Sequence, residues 1–135
     1  MAEKKLTIAL MDAPYEKAST TTALRIVSAA LQKGIHVNVF AYEGAVNLAM
    51  KDQAPHANPV KGTTVEEEDH PTTKKFISEL LKIGGDSPLL NWVNCGLCVD
   101  ERGAINVVEG VKRGSPKEFL EMAQASTNTL VIPTK

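Results

Sequence analysis

Apolar and polar positions along this chain follow two periods, and the switches between them lay out its elements. Leu6 to Met11 is a compact apolar run between lysines and Asp12-Ala13-Pro14, the pattern of a buried strand. Ser19 and the threonines after it cap a helix in which Ala23, Leu24, Ile26, Val27, Ala30 and Leu31 fall at helical spacing, and Gly34 stops it. From residue 36 to 42, Val37 and Val39 alternate with Asn38 ahead of Phe40 and Tyr42, which predicts a second strand. Glu43-Gly44 then opens a short helix to about Met50. Strand, helix and strand at this spacing make a right-handed crossover with parallel pairing.

Residues 53 to 70 lose the apolar period and carry prolines, Gly62 and the acidic run Glu66 to Asp69, so they read as a long surface loop. Asp69 is placed to cap a helix from near Pro71, with Phe76, Ile77, Leu80 and Leu81 facing inward and Gly84-Gly85 ending it. PLLNWV, residues 88 to 93, supplies a third strand that ends at the cysteines, and Val107-Val108 a further short one. Ser115-Pro116-Lys117-Glu118 is a capping box with proline at the first helical position, predicting a helix to about Ala125, and Thr129 to Ile132 closes the chain as a strand. The alternation predicts an α/β fold with a mainly parallel sheet between two helical layers, in a single domain over residues 1–135.

Composition narrows the function classes. A chain of 135 residues with 43% apolar and 23% charged residues can bury a core without disulfide or metal staples. Its net charge of -1 and its three Phe, two Tyr and one Trp supply neither a basic footprint nor stacking platforms, so no nucleic-acid binding is expected. The opening MAEKKLTIALMDAP has too short an apolar run for a signal peptide, and no stretch nears the roughly 20 apolar residues of a membrane span. The expected location is cytoplasmic, where a Cys-x-x-Cys pair is more often catalytic, redox-active or metal-binding than a structural disulfide.

That pair is Cys95 and Cys98, in NWVNCGLCVDERG. The predicted strand end puts Cys95 at the carboxyl edge of a parallel sheet, where ligands bind. If a helix begins there, its dipole favours a thiolate; Asp100 and Glu101 oppose this and Arg102 supports it. At helical spacing the two sulfurs share a face and can meet as a disulfide or a persulfide relay. Cys98, further along the helix and nearer the acids, is expected to be the weaker acid and to attack a persulfide on Cys95. Asp12 to Lys17, after the first strand, can rim the same pocket. Other readings compete: two small buried core residues, a zinc clamp completed by His36, His56 or His70, or a dithiol oxidoreductase using both cysteines. The histidines lack paired spacing, and each alone reads as a solvated side chain. Asn94 stands where a thioredoxin-type motif has tryptophan.

Taken in order, the opening strand with Asp12 and Pro14, the helix TTALRIVSAALQKG, the strand HVNVFAYEGAV, the cysteine segment leading into Arg102-Gly103, and VVEGVKRGSPKEF resemble the DsrE/DsrF-like (TusD-like) sulfur-relay family. The resemblance spans nearly the whole chain. It implies a flavodoxin-like three-layer fold, assembly into oligomers such as homotrimers or hexamers, and a sulfurtransferase or persulfide carrier without a cofactor. Cys95 takes the family's acceptor role, receiving sulfane sulfur or thiosulfonate and passing it to a small TusA-like carrier protein. A non-catalytic oligomeric interaction module is the remaining alternative.

Overall fold

The computed structural model describes residues 4–14, 17–53, 62, 64, 66 and 72–134. Strand β1 (Lys5–Leu10) leads into helix α1 (Ala18–Gln32), strand β2 (His36–Ala41) and a 3-10 helix (Glu43–Ala49). Helix α2 (Thr73–Leu81), strand β3 (Leu90–Cys95) and the short helix α3 (Gly96–Arg102) follow. Strand β4 (Val111–Gly114), helix α4 (Pro116–Gln124) and strand β5 (Asn128–Ile132) complete the order. All four strand pairings are parallel, in the order β4-β3-β2-β1-β5. The architecture is the predicted α/β sheet with helices.

The period-2 pattern of the strands divides the core in two. Ile8, Leu10, Val37, Val39, Ala41, Leu90 and Trp92 point to one face and are covered by α1, α2 and the 3-10 helix. On α1, Ala23, Leu24, Val27, Ala30 and Leu31 are buried, the helical stripe read from the sequence, while Ile26 is exposed. The other face carries Phe40, Val93 and Cys95 and gathers Val46, Cys98, Val99 and Ala104, with Phe119 and Met122 of α4 packed against it. Phe119 stacks on Phe40 at 5.3 Å. A polar row crosses that same face: Asn38 Nδ2 donates to Thr7 Oγ1, Asn91 Nδ2 to Asn38 Oδ1, and Lys112 Nζ to Asn91 Oδ1.

Two strand boundaries depart from the sequence reading. The third strand begins at Leu90 and runs on through Asn94 and Cys95, not from 88 to 93. A polar Asn94 is tolerated inside it because its Oδ1 accepts the indole N–H of Trp92 at 3.1 Å, and both side chains are buried. The fourth strand is Val111–Gly114 rather than Val107-Val108. Val107 forms only an isolated antiparallel bridge with Met50, and Gly110 at φ 99° turns the chain into the edge strand. At the edge Lys112 and Arg113 face water, so the segment carries no apolar signal. The capping box of α4 is present, with Glu118 Oε2 accepting the Ser115 N–H at 2.6 Å. Asp69 and Pro71 and most of the 53–70 segment lie outside the described residues.

Candidate functional site

β3 ends at Cys95, which is also the residue before the first turn of α3, with φ -63° and ψ 120°. Gly96 and Leu97 follow and Cys98 is the third helical residue, so the two cysteines stand at the i, i+3 spacing expected at a helix start. Gly103 at φ 62° ends the helix in a left-handed cap. Both thiols are free, and both residues are buried, Cys95 at 3% and Cys98 at 5% exposure. Leu97 between them is 69% exposed.

Cys98 is held from β2's side. The N–H of Glu43 donates to Cys98 Sγ at 3.2 Å, and the Glu43 carboxylate accepts from Arg102 Nη2 at 2.9 Å. Burial pushes the Cys98 thiol up, and a hydrogen bond with Cys95 adds to this; the Glu43 amide works in the opposite direction. Position along the helix is therefore not what raises Cys98. Tyr42, next to Glu43, is also pushed up, first by the Glu43 charge and then by Cys98.

Cys95 has a different neighbour. In the β3–β4 register Asn94 is opposite Arg113 and Cys95 opposite Gly114, which brings the Arg113 guanidinium over Gly96. Arg113 grips Asp100 through two bonds of 2.8 and 2.7 Å, which hold the Asp100 carboxyl below its usual range. Asp100, expected to disfavour an anion at the thiols, is thus already paired. Glu101 lies 3.8 Å from Arg102. Nothing in the sequence singled out Glu43 or Arg113, because strand register and a turn bring them in from 52 residues before Cys95 and from 18 residues after it.

A cavity of about 540 Å³ adjoins the site, lined by Met11, Asp12, Ala13, Tyr42, Glu43, Gly44, Arg102 and Thr134. The segment after β1 lines this cavity through Asp12 and Ala13, together with Glu43 and Arg102. Asp12 Oδ2 is buried without a hydrogen bond, 3.8 Å from Lys17 Nζ. His56, His70 and the acids after Glu66 lie outside the described residues. His36 opens β2, at the edge opposite the cysteines. Among the described residues no three metal-ligating side chains cluster. No described helix is long and apolar enough to cross a membrane.

The chain resembles an uncharacterized protein of Methanocaldococcus jannaschii at 27% identity over 130 residues, 95% of this chain and 99% of the other. An uncharacterized protein of Methanopyrus kandleri is 24% identical over 127 residues, covering 93% and 91%. Among solved structures, the YchN protein of E. coli has the same fold, with a TM-score of 0.75 at 20% identity over 96% of this chain and 99% of that one. A conserved protein of unknown function from Bacteroides thetaiotaomicron follows at a TM-score of 0.58, 14% identity and 96% and 95% coverage. The model of the DsrE/DsrF-like family matches residues 4–132, and the chain belongs to that family.

Proposed function

We propose that this protein is a cytoplasmic persulfide carrier in which Cys95 accepts sulfane sulfur and hands it to a small TusA-like carrier protein. The observation that supports it most is the pair of free thiols, packed in one cluster at the carboxyl end of a parallel strand, in a chain of the DsrE/DsrF-like family. The Arg113 guanidinium lies over Gly96, the residue after Cys95.

The exchange needs no cofactor. The Cys95 thiolate attacks the outer sulfur of a donor persulfide, R–S–SH, forming Cys95–S–SH and releasing RS⁻. The thiolate of the carrier then takes the outer sulfur and regenerates the Cys95 thiolate. In the absence of a carrier, the Cys98 thiolate attacks the inner sulfur, closing a Cys95–Cys98 disulfide and releasing HS⁻. With both thiols covered, loading requires the first turn of α3 to open; Leu97 between them is already exposed.

A homo-oligomer, trimer or hexamer, is part of this reading. The PLLNWV run does not supply its contact surface, because Leu90, Trp92 and Val93 are buried in the core. Exposed Leu97, Ile105, Leu120, Leu130 and Val131 are the apolar side chains available instead. A dithiol oxidoreductase is the second reading, favoured by the two free cysteines sharing one buried cluster at the start of α3.

Intact mass after incubation with inorganic polysulfide tests the proposal. A gain of one sulfur that is lost in Cys95→Ser and persists longer in Cys98→Ser supports the carrier. Formation of only an internal disulfide with every donor favours the oxidoreductase.

A further inference from the structure

Glu43 is the one described residue other than glycine with a positive φ, 52°, a backbone region uncommon for a side chain of this kind. It opens the 3-10 helix, so its N–H has no partner within that helix and goes instead to Cys98 Sγ at 3.2 Å. Its carboxylate is tied to Arg102 at 2.9 Å. Cys98 and Arg102 are four residues apart on α3 and so lie on one side of it. One helix face thus holds a single distant residue twice, by its backbone through the sulfur and by its side chain through the guanidinium. Gly44 fits tightly behind it, since a Cβ there would come 3.1 Å from the Ala13 backbone nitrogen.

We propose that Glu43 is a positioning residue for Cys98: the Arg102 pair holds its backbone in the left-handed turn, and the turn aims its N–H at the sulfur, favouring the thiolate of an otherwise buried thiol. The proposal rests on the reading of Cys98 as the thiol that attacks a loaded Cys95. A buried sulfur surrounded by Phe40, Val46, Val99 and Ala104 gains its negative charge only at a cost, and a fixed N–H donor offsets part of it. The other charged or titratable groups near this sulfur are Cys95, the Glu43 carboxylate itself and Tyr42, all of which disfavour an anion there, the carboxylate least once Arg102 pairs it. Asp100 is turned to Arg113, and Glu101 lies beside Arg102. Among these groups the Glu43 amide is the one that favours the Cys98 anion.

The side-chain tether matters because residue 43 is not glycine. Without the Arg102 pair a glutamate relaxes out of the left-handed region and its N–H leaves the sulfur. A glycine at 43 adopts the same φ with no tether. The two substitutions therefore separate the carboxylate from the backbone geometry.

The test uses Cys95→Ser protein, so that Cys98 is its sole thiol, and reads the pH dependence of iodoacetamide alkylation. Arg102→Gln and Glu43→Val are expected to move the midpoint up and slow alkylation near neutral pH on the order of tenfold, the effect of one hydrogen bond to a charged group. Glu43→Gly is expected to stay close to the parent. In the parent itself, the amide proton of Glu43 should shift in ¹⁵N-resolved spectra with the same midpoint as Cys98 alkylation. An amide resonance that stays flat while Cys98 titrates overturns the proposal even if a variant fails to fold. Glu43→Gly and Arg102→Gln reacting alike overturns the tether. None of these readouts requires sulfur transfer, so failure of polysulfide loading would count against the carrier and not against the role of Glu43.

Discussion

The guanidinium of Arg113 lies over Gly96, so close that a Cβ on Gly96 would come 2.7 Å from Arg113 Nε. The contact joins the edge strand to the residue after Cys95 and leaves room there for no side chain. Gly96→Ala is expected to displace Arg113, a flexible and half-exposed side chain, rather than the backbone. Stability should change by less than about 1 kcal/mol, helped by the better helix propensity of alanine. Polysulfide loading on Cys95 should slow while the urea midpoint stays within error of the parent. Unchanged loading in Gly96→Ala would remove Arg113 from the site.

Asp100 holds the guanidinium that lies over Gly96, next to Cys95. Asp100→Asn removes the bidentate partner and leaves Arg113 free to face the thiol, so loading on Cys95 should rise by a few-fold. The Asp100–Arg113 pair is exposed, and its loss should cost well under about 1 kcal/mol. Single-turnover loading followed by mass, with and without 0.5 M salt, checks both statements. A fall in loading would show that the pair is needed to hold Arg113 in place.

Stability should fall on the alkaline side. Burial raises Cys98 in the folded chain, so the folded state keeps a proton that the unfolded chain releases at the ordinary thiol value. This contribution is complete below that value and is lost as pH rises through the folded-state one. Tyr42, also raised, acts in the same direction at higher pH. Urea midpoints between about pH 7 and 10 should decline in the parent and decline less in Cys98→Ser, where the buried thiol at 98 is gone. Equal slopes in the two proteins would contradict it.

Trp92 is fully buried, and its indole N–H is satisfied by Asn94 within the same strand. Asn94→Ala leaves that donor without its partner and should cost about 1–3 kcal/mol. Since this is the chain's one tryptophan, its fluorescence reports the change directly. A blue-shifted emission with a lowered urea midpoint is expected. An unchanged midpoint would mean that the donor has found another acceptor.

The apolar side chains on the outside predict how the protein assembles. Leu130 and Val131 are exposed on edge strand β5, and Leu120 is 57% exposed on α4. If copies associate through these residues, Leu120→Glu combined with Val131→Lys should shift the sedimentation coefficient toward the monomer at micromolar concentration. Polysulfide loading per chain should be retained, since neither residue touches the cysteines. A monomer in the parent would remove the oligomer from the proposed function.

What the sequence determined by itself was local. Period-2 and period-3.6 apolar patterns placed β1, β2 and α1, and the capping box placed α4, because those signals come from residues adjacent in the chain. The Cys-x-x-Cys spacing likewise put two sulfurs within reach of each other, since three residues are enough to fix it at a helix start. The tertiary structure decided what surrounds them. β4 carries charged, exposed residues and no apolar period, so only its pairing with β3 reveals it, and that pairing is what brings Arg113 over Gly96, the residue after Cys95. Glu43 meets Cys98 across 55 residues through a backbone N–H, a group every residue but proline has and no sequence pattern marks. The burial of both thiols is equally non-local: Phe40, Val46 and Val99 come from three different elements, and only their packing decides how much water each sulfur meets.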